Sequence, residues 1–490
     1  MSGGSLSIAL SGLNAAQTGL DTVSENISNA NTPGYLKETA SLANQQTPGD
    51  AIGNGVTVTG VVQSSNSFNR QLELSANGAQ SYANQIQSLL TSAQASFNEP
   101  SSNGIAEQMN TLYNNFSALA DTPTQASNYT QVVASAQNVA TSINQAAANL
   151  SAVYGQASSS ASTMVETINS QLQQVASINT QLASTSLTPG ASNTLVDQQN
   201  QVIDKLASEI GVTSIPGTAG QTTLLIGGVS LVQGGQVSAI KLSTQSQTSP
   251  PSTSGLNSVV LESSPQTTVP VTGGTLGATL QVMNTNLPKY GVYLNTLATN
   301  LANQVNYQLA QGQASSSSSS AGTGIPLFVN ALANTPGSSS NTPSTGTPPP
   351  YNAATLGVNQ AIVKTPTLIA ASGSPYAAGD GSNAQAIANQ QTVQRVTVTV
   401  AGVPGPSSQA AIAGWASSVA NVGLDVQSAT ANASNATNTY NQAYTAEKSV
   451  SGVAVNSQLV NLVNYQQVYQ AAAKVISTVA ATLQSLIQDV

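Results

Sequence analysis

The sequence predicts a mainly helical protein with an inserted β-rich part: paired terminal coiled-coil helices, a long helical bundle domain and a smaller β-rich outer domain. Three observations support this class. Apolar residues recur every seven positions at both ends of the chain. Residues 124–188 contain no proline and a single glycine, so little interrupts a helix there. The middle of the chain is instead rich in alternating β-branched residues and in Ser, Pro and Thr.

The first element is a helix over residues 1–31, with two interleaved rows at seven-residue spacing. The small row is Ala9, Ala16, Val23 and Ala30. The large row is Leu6, Leu13, Leu20 and Ile27. Pro33 and Gly34 end the helix, because proline cannot continue it and glycine favours a turn.

The next elements are a short strand over 52–63 and a series of amphipathic helices. The apolar spacing predicts helices from about residue 79, then over 105–119, 132–182 and 195–210. If continuous, 132–182 is a rod of roughly 75 Å at 1.5 Å per residue. The β-like segments are 222–242, with hairpin turns at its glycine pairs, 256–272 and 393–400, and a further helix spans 276–309.

The C-terminal part returns to heptads, first over 412–443 and then, after a break at Ser451 and Gly452, over 455–490. The main row of the last helix is Val455, Leu462, Tyr469, Ile476, Leu483 and Val490. We predict a second row of Leu459, Gln466, Ala473, Ala480 and Ile487.

Three domains follow from these patterns. Residues 1–60 with 445–490 form a terminal coiled-coil polymerisation domain. Residues 61–312 with 401–444 form the helical bundle, including a β-hairpin region near 213–275. Residues 313–400 form a Ser/Pro/Thr-rich, partly β outer domain.

Composition excludes several classes of function. The chain has no Cys and no His, which removes thiol nucleophiles, Ser–His–Asp triads and most zinc sites. We found no carboxylate pair with a plausible catalytic partner, so we expect no enzyme, no cofactor and no metal. Nine Lys/Arg against seventeen Asp/Glu argue against nucleic-acid binding. We also expect no membrane insertion and no cleaved secretory signal.

The two terminal helices are the candidate functional surface. Such heptads, almost free of charge, need partners to cover their large residues, and pairing the two ends leaves the middle as an inserted outer body. The predicted polymerisation residues are Leu6, Leu13, Leu20, Ile27, Leu459, Leu462, Tyr469, Ile476 and Leu483.

Both ends resemble one known family. The stretch Ala9–Thr18, the stretch Ser24–Tyr35 and the C-terminal stretch Leu462–Thr478 are similar to the signatures of bacterial flagellar rod, hook and hook-associated proteins. The helices beyond residue 79 and the stretch Asn193–Leu206 resemble the members at the hook–filament junction. The family signature comprises Asn29, Asn31, Thr32, Pro33, Gly34 and Tyr35. A helix stop is a physically sufficient explanation of this segment, and a ligand site is the alternative.

The resemblance implies a structural axial subunit, exported by the flagellar type III apparatus and located outside the cell. Its implied partners are copies of itself in a ring, the hook protein, the next hook-associated protein and an export chaperone. Two alternatives remain: a hook or distal-rod subunit, which predicts mostly β-structure after residue 80, and an adhesin-like binding module. Since only 5% of residues are charged and none is His, we also expect assembly to be nearly independent of pH.

Overall fold

The computed structural model describes residues 2–45, 53–184, 189–245, 258–263, 267–314, 325–331, 351–392 and 410–488. Within these ranges the helices are α1 (Ser2–Ser28), α2 (Ser67–Ala95), α3 (Ile105–Asp121), α4 (Ala126–Leu182), α5 (Pro189–Ile210), α6 (Gly274–Gln281), α7 (Leu287–Gln311), α8 (Gln360–Lys364), α9 (Ser382–Ala388), α10 (Ala411–Ser451) and α11 (Val455–Gln488). The strands are β1 (Glu38–Asn44), β2 (Val56–Gln63), β3 (Thr213–Pro216), β4 (Thr222–Ile226), β5 (Val229–Gln233), β6 (Gln236–Val237), β7 (Ile240–Gln245), β8 (Ser258–Ser263), β9 (Thr267–Thr268), β10 (Phe328–Asn330) and β11 (Leu356–Val358).

The mainly helical class with inserted β-structure is confirmed, and most helix boundaries agree with the sequence patterns. The long helix α4 has 57 residues, about 85 Å at 1.5 Å per residue. The apolar stripe predicted over 105–119 is buried in α3. A short π-helical segment, Val282–Asn286, joins α6 to α7, which together replace the single helix expected over 276–309.

Two elements differ from the prediction near the start of the body. The helix expected from residue 79 begins at Ser67, because Asn66 caps it and accepts hydrogen bonds from the backbone N–H groups of Phe68 and Asn69. Strand β1 was not predicted; it pairs antiparallel with β2 across a bulge. The sequence reasoning overlooked β1 because its residues, Glu-Thr-Ala-Ser-Leu-Ala-Asn, carry little β-branched or aromatic character.

The β-rich part contains two antiparallel sheets that pack beside the helices. Strands β3 to β6 form a four-stranded meander, and its second and third turns fall at the predicted glycine pairs, 227–228 and 234–235. Strands β7 to β9 form a three-stranded sheet. The strand expected over 393–400 and the Ser/Pro/Thr-rich segments 315–320 and 335–350 lie outside the described residues.

The body has two hydrophobic cores along α4. One core joins the second half of α4 to α5, α6 and the four-stranded sheet. The other joins the first half of α4 to α3, α7 and α10, and includes Trp415, whose indole N–H donates to Glu99 (3.0 Å). Phe328, Leu356 and Ile387 also lie in this second core. The described parts of 313–400 therefore pack into the helical body and share its core.

Helices α2 and α10 run antiparallel and are joined by neutral hydrogen bonds. The amide of Gln80 donates to Thr437 (3.3 Å) and that of Gln87 donates to Thr430 (3.3 Å). Both pairs are separated by seven residues on each helix, so they form a ladder on one flank of the helix pair. At these positions the two helices are therefore joined by neutral amide–hydroxyl pairs and not by ion pairs.

Candidate functional site: the terminal helix pair and its root

Helices α1 and α11 pack against each other as an antiparallel pair. The direction follows from two contacts, Asn26 with Gln458 and Gly19 with Tyr465. A methyl group at Gly19 would lie 2.5–2.6 Å from three atoms of the Tyr465 ring. Glycine is therefore required there for the two helices to approach this closely.

The small row of α1 forms the buried side of this helix. Ala9, Ala16 and Val23 are buried, whereas Leu13, Leu20 and Ile27 are half-buried and Leu6 is exposed. The structure thus places the four predicted large residues at the margin of the pair or outside it.

The seam of α11 differs in part from the predicted one. Leu462, Tyr469, Ile476 and Leu483 are half-buried and share a helical stripe with Gln458 and Tyr465. The second row on this stripe is Gln458, Tyr465, Ala472 and Val479. The observed second row is displaced by one residue from the predicted one, of which Leu459, Gln466 and Ala480 are exposed and Ala473 is half-buried. The side chain of Ile487 lies outside the described residues. Of the predicted main row, Val455 is exposed and Val490 lies outside the described residues.

Large apolar side chains remain on the outer surface of the pair. They are Leu6, Leu10, Val455, Leu459, Val460, Val463, Val468 and Val475. The described parts of the two helices carry only three charged residues, Asp21, Glu25 and Lys474. A surface with many exposed apolar side chains and few charges is typical of a protein–protein contact.

The pair joins the body at a root organised by Asn26, which is completely buried (0% exposed). Its amide N–H₂ donates to the carbonyl of Glu38 (2.8 Å) and to Gln458 (3.4 Å). Its carbonyl oxygen accepts from the Glu38 backbone N–H (2.8 Å) and the Tyr35 hydroxyl (3.1 Å). One side chain therefore ties α1 to the turn, to the first residue of β1 and to α11.

The signature residues form the turn between α1 and β1. Asn31, Thr32 and Pro33 are exposed, Asn29 and Gly34 are half-buried, and Tyr35 is buried. Gly34 has a positive φ of 79°, and a Cβ there would meet Gln201. The segment ends the helix as expected and directs the chain against the body.

Helix α5 holds the following linker, residues 33–38, through one face. The amide of Gln201 donates to the carbonyl of Pro33 (2.6 Å). Asp197, one turn earlier, accepts from the backbone N–H of Leu36 and from Gln63 of β2 (2.9 Å). Asp204 lies on the same face at a spacing of seven residues.

Two buried carboxylates sit at this linker. Burial raises the pKa of Asp197 to about 7, opposed by the hydrogen bonds from Gln63 and Leu36 and reinforced by the negative charges of Glu38 and Glu25. Burial also raises the pKa of Glu38, opposed by a hydrogen bond with Asn193. Both groups consequently bind protons more tightly in the folded protein than in a solvated chain.

A groove of about 800 Å³ opens beside the root. It is lined by both terminal helices, the turn and the end of α10, including Tyr35, Lys37, Tyr444, Lys448 and Tyr465. The described residues contain no group of three or more carboxylates arranged to hold a metal ion. None of the helices in the described ranges combines the length and apolarity needed to cross a bilayer.

Sequence reasoning missed the buried hub, Asn26. It lies within the stretch quoted for the family resemblance but off both predicted rows. A signal was present, since Gly12, Gly19 and Asn26 recur every seven residues. Small residues at that spacing indicate a close helix contact, and a polar residue in such a row indicates a buried hydrogen-bonding position.

Comparisons with known protein families agree with this architecture. Residues 90–328 match the flagellar hook-associated protein FlgK helical domain. Residues 6–35 match the flagella basal body rod protein family, and residues 449–489 match the C-terminal domain of the flagellar basal body rod FlgEFG proteins. Together the three matches span well over half of the chain.

Individual relatives of the chain are also flagellar hook-associated proteins. The chain is 29% identical over 232 residues to flagellar hook-associated protein 1 of Escherichia coli, covering 46% of this chain and 42% of that protein. It is 28% identical over 218 residues to flagellar hook-associated protein 1 of Bacillus subtilis, covering 42% and 43%. The match thus spans less than half the length of these relatives.

A solved structure shares the fold. The flagellar hook junction protein FlgK from Burkholderia pseudomallei superposes with a TM-score of 0.62 at 18% identity, over 78% of this chain and all of that one. The long helices α2 to α5 occupy the region in which a hook or distal-rod subunit was expected to be mostly β-structure.

Proposed function

Because the chain belongs to the FlgK family of flagellar hook-associated proteins, we propose that it is a structural subunit of the bacterial flagellum that forms the junction between hook and filament. Its terminal helix pair, α1 with α11, is the part that assembles. The helical body is carried outward from this pair by the turn at residues 29–38.

The observation that supports this proposal most directly is the uncovered apolar surface of the helix pair. Eight large apolar side chains are exposed there, from Leu6 on α1 to Val475 on α11. Each fully buried Val or Leu side chain contributes roughly 1.5–3 kcal/mol, so covering even half of this surface gives a substantial driving force for association. Little charge has to be desolvated in the process.

The partners follow from the position of such a subunit. We propose that copies of the chain pack side by side in a ring, between the hook protein and the next hook-associated protein, with a chaperone covering the terminal helices before export. The subunit is then extracellular and acts without catalysis. A helix pair with exposed apolar side chains and few charges suits all of these contacts, because each partner needs only a complementary apolar groove.

The test is a polar substitution on the outer surface of α11. Val460→Ser with Val463→Ser removes two side chains, 62% and 48% exposed, that lie one helical turn apart. The matched control is Leu424→Ser, an equally exposed residue (60%) on helix α10 of the body. All variants should keep the circular dichroism and Trp415 fluorescence of the parent protein.

In a strain whose own copy is deleted, we expect the parent and the control to restore filaments and swimming. The double variant should be exported but leave hooks without filaments and flagellin in the medium. Normal filaments with the double variant would refute the role of this surface. Loss of filaments with the control as well would show that the readout is not specific to the helix pair.

A further inference from the structure

Two charged surfaces lie on different sides of the terminal helix pair. The first is the groove of about 800 Å³ beside the root, which is lined by Lys37 of the linker and Lys448 of α10. The second, which we call the acidic stripe, is an exposed row on α1 with three- and four-residue spacing: Leu10, Asn14, Gln17, Asp21, Glu25 and Ser28. The charges of these two surfaces have no role in the apolar contact proposed above.

The two lysines of the groove are brought together by the fold. The Lys37 backbone N–H donates to the carbonyl of Ser451 (2.8 Å), which lies three residues after Lys448 on α10. Neither lysine takes part in an ion pair within the residues that the structure describes. The Lys448 ammonium group instead lies over the Tyr444 ring, 5.7 Å from its centroid. Two of the nine Lys/Arg residues of the chain therefore place positive charge at one groove.

The acids next to these lysines in the sequence are engaged elsewhere. Glu38 is buried, and its carboxylate hydrogen-bonds with the side chain of Asn193 on α5. Glu447 is also buried, and it lines a separate small cavity that contains Arg70. The ammonium groups of the groove thus remain available to an acid that enters from outside.

The acids of the stripe are exposed and point away from the groove. Asp21 and Glu25 are one helical turn apart, so their side chains share a face of α1. Neither forms an ion pair in the described ranges, and Asp21 accepts a hydrogen bond only from a neutral amide, that of Gln17 (3.0 Å). At 3.6 residues per turn, this face lies roughly 130° around α1 from the groove residues Thr22 and Val23. A chain therefore cannot place these acids in its own groove.

We propose that the acidic stripe of one copy docks in the groove of the next copy, so that Asp21 and Glu25 pair with Lys37 and Lys448 of the neighbour. Because groove and stripe lie on different faces, the contact is head-to-tail, and each copy uses both surfaces once. Such a contact repeats around a closed ring. The inference rests on the proposed junction role and deepens it, because it names the two faces by which neighbouring copies meet.

Three observations favour a second copy of the chain as the occupant of the groove. The charges match in number, with two ammonium groups in the groove and two carboxylates on the stripe. The volume of about 800 Å³ lies within the range of roughly 300–1,000 Å³ in which proteins enclose other molecules. The stripe also continues to Leu10, which is 51% exposed, so the same approach brings an apolar side chain against the neighbouring helix pair. The ion pairs then set the register of a contact whose affinity is mainly apolar.

The experiment is sedimentation velocity of the full chain over a range of protein and sodium chloride concentrations. The acid-reversed chain carries Asp21→Lys with Glu25→Lys. The lysine-reversed chain carries Lys37→Glu with Lys448→Glu. Each is measured alone, and the two are then measured as an equal mixture.

The matched control is Lys205→Glu with Lys474→Glu, which changes the net charge as much as the lysine-reversed chain does. Both control lysines are exposed and lie outside the groove, and Lys474 is on the helix pair itself. The control should associate as the parent does. A control that associates as weakly as the lysine-reversed chain would overturn the proposal, because net charge would then explain the effect.

The parent should associate, and its association should weaken as salt is added, because salt screens exposed ion pairs. Each reversed chain alone should associate about tenfold or more weakly, because like charges then face each other. The mixture should recover the association of the parent, because every groove then meets a stripe of opposite sign. This recovery is specific to a contact between groove and stripe.

Three further results would overturn the proposal. The first is a parent protein that stays monomeric up to millimolar concentration. The second is a reversed chain that associates as the parent does. The third is a mixture as weak as its two components, which would mean that the groove takes a different molecule.

If the lysine-reversed chain does not fold, Lys37→Gln with Lys448→Gln takes its place. This neutral chain should lose most of the salt dependence of association, and a salt dependence equal to that of the parent would refute the docking.

The deletion strain separates this inference from the junction role. Each reversed chain should leave hooks without filaments, and a chain with all four reversals should restore them. Failure of the parent to restore filaments would refute the junction role, while the mixture in solution would still decide on the docking. Filaments with the parent and with both reversed chains would refute the docking alone.

Discussion

The buried hub at Asn26 makes a specific prediction about the attachment of the terminal helices. In an Asn26→Ala protein, the backbone N–H and carbonyl of Glu38 and the hydroxyl of Tyr35 lose their partner. Each buried polar group left unpaired costs about 1–3 kcal/mol. The adjoining groove of about 800 Å³ is lined by Tyr35 and Glu38, so water can reach part of the site. We therefore expect a total near the lower end, about 3 kcal/mol.

This loss of stability should be confined to the root, so the assay has to report local opening. A destabilisation of about 3 kcal/mol corresponds to amide exchange roughly a hundredfold faster through local opening. We expect that change at residues 20–44 in native-state hydrogen exchange. The urea transition followed by Trp415 fluorescence should not move, because Trp415 lies in the core of the body.

The control for this prediction is Asn14→Ala, an exposed asparagine on the same helix, which should change exchange by less than about 0.5 kcal/mol. Equal effects of the two substitutions would refute the view that Asn26 is the attachment point. A shift of the Trp415 transition would refute the view that the root opens independently of the body.

Two further predictions concern helix contacts. Gly19→Ala should destabilise the terminal pair by about 1–3 kcal/mol through the clash with Tyr465, whereas Gly12→Ala, at a position that faces open space, should stabilise α1 by up to about 1 kcal/mol. Thermal melting of both proteins by circular dichroism measures the difference, and a change of the same sign in both would contradict the packing described. A double-mutant cycle of Gln80→Ala and Thr437→Ala should give a coupling free energy of about 0.5 kcal/mol in urea unfolding followed by Trp415 fluorescence. Strictly additive effects would show that the hydrogen bonds between α2 and α10 do not contribute to stability.

Much of the helical architecture could be predicted because its signals are local. The length of α4 followed from the absence of breakers, and the burial of the α3 stripe followed from apolar spacing. The terminal helices were recognised for the same reason. Their pairing was predicted, but its direction, the buried face of α1 and the closeness of approach were not, since a heptad gives the spacing of the contact rows and not the geometry of the contact.

The contacts at the root could not be predicted from the sequence for a different reason. Glu38 and Asp197 are neighbours only because β1 pairs with β2 and because α5 packs along the linker. The contacts of α5 with the linker join residues more than a hundred positions apart, and β1 itself has no strong propensity signal. In the sequence, Glu447 and Asp204 look like ordinary solvated acids of exposed helix faces. Only the packing of α2, α5 and α10 around one arginine shows that Glu447 is buried and that Asp204 pairs with Arg70.

The location of the few charged residues determines how this protein should respond to pH. The sequence alone suggests a surface with little to titrate and therefore assembly that is nearly independent of pH. That reasoning still applies to the outer surface of the helix pair, which carries few charges to lose or gain. The same reasoning does not apply at the root, because Glu38, Glu73, Asp197 and Glu447 are all buried there. Among the described residues, the buried carboxylates thus all lie where the terminal pair meets the body. The strength of subunit association should then be insensitive to pH, while the stiffness of the joint between pair and body should not be, and the two can be measured separately.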